Sequence, residues 1–158
     1  MTAQEIHDSL KAKFGEAVLE AKLDAPQPWI KVDPQQLYDA AVFLRETADL
    51  AFDYCSCVSG VDYNDGKLGA VYHLFSMVHK HKIVIKAIVP KETPHVRSTA
   101  DVWAGANWHE REAFDMVGIV FDGHPDLRRI LTPDDYPGHP LRKDFQVPEF
   151  YNGMKVPY

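Results

Sequence analysis

Several groups of residues in this sequence have types and spacings that could do chemistry. Cys55-Ser56-Cys57 sets two thiols at i and i+2, which face the same side of a strand. The spacing is not Cys-x-x-Cys, and two thiols cannot supply the four ligands of an iron–sulfur or structural zinc site. The pair reads as two buried apolar side chains, with redox or metal use as the alternative. His79 and His81 repeat the spacing, but lysines around them oppose a divalent cation, so they read as solvated turn histidines. Trp108-His109-Glu110-Arg111-Glu112 begins like a zincin helix, yet Ala113 stands where the second imidazole belongs. His124 and His139 precede Pro125 and Pro140 and could each ligate a metal. A free-standing metal enzyme would have to draw on His109, Glu110, Glu112, His124 and His139. There is no Gly-x-Gly-x-x-Gly, Walker lysine loop or Gly-x-Ser-x-Gly elbow.

A different role suits the charged residues better. Glu110 shares a helical stripe with Trp103, Ala106, Phe114 and Val117, and a carboxylate on an apolar face must be hydrogen-bonded or paired. The spacing makes it part of a helix-start network. Arg111 and Asp115 lie four apart and are expected to pair along the helix. Arg128-Arg129 and Arg142-Lys143-Asp144 lie in a proline-rich stretch. Arginine there suits carboxylate pairing, on the chain's own domain or across an interface.

Composition narrows the classes. The 158 residues carry 17 Lys and Arg against 23 Asp and Glu, a net charge of -6 that disfavours sequence-independent nucleic-acid binding. Two cysteines exclude a disulfide scaffold and fit a reducing compartment. No apolar run is long enough to span a bilayer, and the start is neither a signal nor a transit peptide. Charge is uneven. Residues 79–97 hold Lys80, Lys82, Lys86, Lys91 and Arg97 against Glu92, which reads as a solvated strand face or, alternatively, a surface for an acidic partner.

The elements that must position these residues follow from periodicity. Thr2 and Glu5 form a capping box ahead of the Ile6, Leu10, Phe14 stripe, and Gly15 ends that helix. Strands are expected over 17–23 and 29–32. Asp33-Pro34 starts a helix carrying Leu37, Ala40, Ala41, Leu44 and Ala48. Residues 52–61, 68–78 and 83–89 form a meander turned at Asn64-Asp65-Gly66 and Lys80-His81. Capping-box spacings at Ser98/Asp101 and Asn107/Glu110 predict a turn of helix over 98–103 and a longer helix over 107–117 stopped by Gly118. The expectation is an α+β fold: an antiparallel sheet of four or five strands with helices mainly on one face, over residues 1–120. Six of the eleven prolines then fall in 124–158, so residues 121–158 are expected to form an extended interaction arm.

Over residues 30–146 the chain resembles a known family. The run from Glu110 to Ile119, with Glu112, Asp115 and Gly118, then Phe121-Asp122-Gly123-His124-Pro125-Asp126-Leu127-Arg128-Arg129-Ile130-Leu131, carries a signature. It is similar to that of the thirty-kilodalton-type subunit of the respiratory NADH:quinone oxidoreductase, complex I. Thr132 to Phe145, with His139, Arg142, Lys143 and Asp144, resembles its closing segment. Val61-Asp62-Tyr63, Tyr72-His73-Leu74 and Ala106-Asn107-Trp108 are similar too. Val117 stands where an aromatic is common, and the region before Ala25 matches weakly. The resemblance implies a hydrophilic peripheral-arm subunit with no cofactor of its own. It implies packing against the larger subunit that borders the quinone site and contact with cluster-binding neighbours, on the cytoplasmic side of the plasma membrane. NADH, flavin, iron–sulfur clusters and quinone would be bound by other subunits, and the chain would not be a fusion with that larger subunit. Related subunits occur in membrane-bound hydrogenases and other quinone-linked dehydrogenases.

Overall fold

The computed structural model describes residues 1–156; Pro157, counted above in the arm, lies outside the described residues. Helix α1 (Ala3–Phe14) opens with the expected capping box: Thr2 Oγ1 accepts from the Glu5 N–H at 3.2 Å, and Glu5 Oε2 accepts from the Thr2 N–H at 2.7 Å. Ile6 and Leu10 are buried. Strands β1 (Val18–Lys22) and β2 (Trp29–Val32) pair antiparallel. Asp33 accepts from the Gln35 N–H at 2.9 Å and starts a 3-10 turn that leads into α2 (Leu37–Glu46). Leu37, Ala40, Ala41 and Leu44 are buried; the helix stops before Ala48.

Strands β3 (Tyr54–Asp62), β4 (Lys67–Phe75) and β5 (Lys82–Pro90) form the expected meander. The five strands lie in the order β1-β2-β5-β4-β3, with β2 parallel to β5. The sheet is therefore mixed rather than wholly antiparallel. After β2 the chain crosses through α2 to the far edge, and the meander returns β5 alongside β2. One sheet face supplies Ile30, Leu68, Tyr72, Leu74, Ile83 and Ile85 to a core shared with Ile6, Leu10, Leu44, Ala106 and Val117 of the helices.

Three local readings need correction. The register slips between Cys55 and Cys57, so a bulge at Ser56 reverses the strand's parity. Cys55 faces the core, where burial pushes its thiol up to about 12, while half-buried Cys57 turns to the other face beside Ser59, 3.3 Å away. His81 is buried rather than solvated; its ring contacts Phe52, and its Nε2 lies 2.7 Å from the Leu50 carbonyl. The single turn expected over 98–103 is present, closed by the Trp103 and Val102 N–H groups donating to the Thr99 carbonyl at 2.9 Å, but the helix that follows, α3 (Ala106–Val117), has Gly105, not Asn107, at its N-cap. Two further strands, β6 (His95–Arg97) and β7 (Val120–Asp122), pair parallel beside α3, and β8 (Phe150–Tyr151) and β9 (Met154–Lys155) close a small hairpin.

Candidate interaction site at the end of the third helix

Helix α3 packs on β3 at Gly60, where a Cβ would stand 3.0 Å from Val117 and 3.2 Å from Ala113. The helix carries two buried carboxylates, Glu110 and Asp115, both at 0% exposure. Glu110 turns to the sheet and to residues 98–99, which follow β6. Ser98 Oγ donates to it at 2.5 Å, the Thr99 N–H at 2.8 Å and Thr99 Oγ1 at 2.9 Å, with Tyr72 Oη at 3.4 Å. The Ser98/Asp101 and Asn107/Glu110 spacings therefore close no capping boxes; Ser98 and Glu110 bond to each other. Burial pushes the Glu110 carboxyl above its ordinary range, against the hydrogen bonds from Ser98 and Thr99.

Asp115 turns the other way, to the chain that follows β7. Its Oδ2 accepts the consecutive N–H groups of Ile130, Leu131 and Thr132 at 3.0, 2.7 and 2.9 Å. Its Oδ1 takes Arg129 Nη1 at 3.0 Å and the Thr132 hydroxyl. Burial works to raise this pKa, but the Thr132 hydroxyl and the three N–H groups prevail and hold it down to about 2. Asp115 therefore does not pair with Arg111. Arg111 instead donates to the Arg128 carbonyl at 3.3 Å, lies 3.8 Å from Asp126 and stacks over Trp108.

The same stretch caps α3. The last carbonyls of a helix have no partner within it. Here His139 Nδ1 lies 2.9 Å from the Asp115 carbonyl, the Leu141 N–H donates to Met116 at 2.9 Å, and Arg142 Nε donates to Val117 at 2.7 Å. The Arg142 cation also suits the negative end of the helix dipole. Gly118 permits this twice over: its φ is 81°, and a Cβ there would meet Arg142 Nη2 at 2.5 Å and His139 Cδ2 at 2.6 Å. Beyond the cap, Asp62 on β3 accepts the Lys143 N–H at 2.9 Å and Lys91 Nζ at 3.1 Å, and Lys91 bridges to Asp144 at 2.8 Å. Burial opposes ionisation of Asp62, but the N–H groups of Lys143 and Asn64 and the Lys91 ammonium hold it down to about 2.

The site thus gathers most of the residues singled out in the sequence, though not as a catalytic set. His124 accepts the Asp126 N–H at Nδ1 and reaches the Asn107 carbonyl with Nε2 at 3.0 Å, so it serves the start of α3. His139 serves the other end, about 12 Å away at 1.5 Å of rise per residue. The two imidazoles therefore do not converge, and no group of three His, Cys, Asp or Glu able to hold a metal occurs among the described residues. Glu112 and Pro125 are exposed, and Arg128 pairs locally with Asp126 at 2.9 Å. Sequence reasoning did not single out Thr132, Ser98 and Thr99 as ligands of the buried carboxylates. Asp62 stood out in the sequence only within the Val61-Asp62-Tyr63 resemblance; it also accepts the Asn64 N–H at 2.9 Å at the turn that follows.

Comparisons with known proteins agree with the signature. The family model described as respiratory-chain NADH dehydrogenase, 30 Kd subunit, matches residues 30–151. An NADH-quinone oxidoreductase subunit of Chloroherpeton thalassium is 52% identical over 151 residues, covering 94% of this chain and 63% of that protein. The subunit of the same name from Chlorobium phaeobacteroides is 46% identical over 155 residues, covering 96% of this chain and 93% of its own length. Among solved structures, a trypsin-resistant fragment of Nqo5 superposes with a TM-score of 0.65 at 25% identity, over 80% of this chain and all (100%) of the fragment. The membrane-bound sulfane sulfur reductase, an archaeal respiratory membrane complex, contains the same fold, with a TM-score of 0.72 at 24% identity over 90% of this chain and 85% of that one. The α3 signature, the capping segment and these relatives place the chain in the family of the 30 Kd subunit of respiratory-chain NADH dehydrogenase.

Proposed function

We propose that the chain is a scaffold subunit of a proton-translocating NADH:quinone oxidoreductase, without a cofactor of its own, that packs against the larger subunit bordering the quinone site. It belongs to the peripheral arm on the cytoplasmic side of the plasma membrane and meets the bilayer only through the complex. NADH, flavin, iron–sulfur clusters and quinone are bound by other subunits. The observation that carries this reading is the division of labour along the arm. Its polar groups turn inward to Asp115, Asp62 and the end of α3. Leu127 packs on the core, but five other apolar side chains turn outward: Leu131, Leu141, Val147, Phe150 and Met154 are 62, 59, 53, 58 and 67% exposed. Each such side chain gains about 2 kcal/mol when fully covered, so a line of them on a pre-shaped strap is a surface awaiting a neighbour. The relatives are named as subunits of NADH-quinone oxidoreductase, which supports the choice of that complex over the sulfane sulfur reductase, which shares only the fold.

The test is truncation after Gln146, which removes Val147, Phe150 and Met154 and spares the α3 cap. The shortened chain is expected to fold with an unchanged circular dichroism spectrum and to lose co-purification with the quinone-site subunit. Normal recovery of the complex with the shortened chain overturns the reading.

A further inference from the structure

The sheet face opposite the core carries no helix among the described residues. Its centre is apolar and sunken: Val71 and Val84 are only 7% exposed, with Trp29, His73, Phe75 and Ile88 half-buried around them. Tyr63 lies across Gly69 on the same face, where a Cβ would stand 2.7 Å from its ring. Strand alternation brings Lys22, Lys31, Lys67, Lys82 and Lys86 to this face against Glu20. Lys86 lies over the Trp29 ring at 4.0 Å, Lys31 is 3.9 Å from Glu20, and Lys67 pairs with Asp65 in the adjoining turn. This face is thus positive on a chain whose net charge is -6. At one end, Pro28, Tyr54, His73, Phe75, Lys82 and Val84 line a recess of about 270 Å³.

We propose that this face docks an acidic element of a second partner protein, which seats an apolar side chain in the recess and sets carboxylates against Lys31, Lys82 and Lys86. An apolar centre inside a charged rim is the anatomy of a protein interface. Electrostatic complementarity would supply register and partner choice. A second copy of this chain fits poorly, because a two-fold arrangement sets lysine against lysine. An anionic lipid surface fits poorly as well: lipid binding uses apolar side chains that project, and the aliphatic centre of this face, Val71 and Val84, is only 7% exposed. The arm lies on the α3 side of the sheet, so both surfaces can be occupied at once, and the chain joins two neighbours. The proposal rests on the assembly reading above.

The experiment compares the purified full-length chain with the intact detergent-solubilised complex. Both are treated with an amine-acetylating reagent, and labelling of each lysine is followed by mass spectrometry. Labelling of Lys31, Lys82 and Lys86 is expected to slow at least tenfold in the complex, and a zero-length carboxyl-activating cross-linker should join Lys82 or Lys86 to an Asp or Glu of another subunit. The K82E/K86E variant should fold normally and enter the complex at least tenfold less well. Unchanged labelling of these three lysines with slowed labelling of Lys143 and Lys155 overturns the proposal alone. Unchanged labelling of every lysine overturns the assembly reading with it. Normal incorporation of K82E/K86E also overturns the proposal. So does salt-reversible binding of the free chain to phosphatidylglycerol vesicles that this variant loses, which would assign the face to lipid.

Discussion

Glu110 and Asp115 share one helix and are both at 0% exposure, but Glu110 lies in the core and Asp115 lies under the thin cover of residues 129–132, and their acidities move in opposite directions. The difference lies in depth and in donors. Asp115 meets a guanidinium and three successive N–H groups, a concavity that favours an anion. Glu110 meets hydroxyls and a single N–H, and its nearest phenol belongs to a fully buried tyrosine. The outcome of burying a carboxylate is thus set by the balance between the depth of burial and the donors the surrounding chain presents. The two also join different things. Glu110 ties β6 to α3 within the core, and Asp115 ties the arm to the core.

The comparison breaks most sharply at Asp115. D115A strands Arg129 and three N–H groups in a partly buried place, and about 3–5 kcal/mol of stability should be lost in denaturant titrations, with rapid tryptic cleavage at Arg129. Next in size is the pH dependence. The Asp115 pKa is depressed, so its contribution, about 2 kcal/mol, is complete above its unfolded value near 3.8 and disappears as pH falls towards 2. The Glu110 pKa is raised, so its effect has the opposite sign: full below its unfolded value near 4.5 and lost as pH rises through the folded one. The fall in stability below about pH 4 should shrink by about 2 kcal/mol in D115A, with the share owed to Asp62 remaining, and persist in full in E110Q. G118A should follow, at about 1–2 kcal/mol, because a side chain at positive φ is strained and crowds His139 and Arg142. Faster tryptic cleavage at Arg142, with the N-terminal helix unaffected, would show that the loss is local. E110Q is expected to be the mildest, about 1 kcal/mol or less, since the amide can keep one acceptor for Thr99 and offer a donor to Ser98. A larger loss in E110Q than in D115A would reverse the comparison.

Periodicity made the helices and the meander legible because each is specified within a few residues: a capping box at Thr2, Asp33-Pro34, the turn at residues 64–66. What it could not supply was long-range. An apolar alternation such as that of β2 is satisfied equally by a parallel or an antiparallel neighbour, so the β2–β5 direction depends on where α2 delivers the chain. The three-residue strands β6 and β7 each bury one central side chain, too few to define a period. The bulge at Ser56 carries no marker such as a glycine, and it undid the inference that Cys55 and Cys57 share a face. The site was half legible. Its residue types stood out, but the i to i+4 rule assigned Arg111 to Asp115, whereas a guanidinium and three amides from 129–132 offered Asp115 a better fit.

The terminal turn of α3 is completed by residues 139–142, which lie more than twenty positions further along the sequence. During translation the local Gly118 cap is in place first, and water must meet the last three carbonyls until those residues emerge from the ribosome. A chain ending before residue 139 would leave the carbonyls of residues 115–117 to solvent, so the last turn of this helix gains its full set of partners only once the strap has been made.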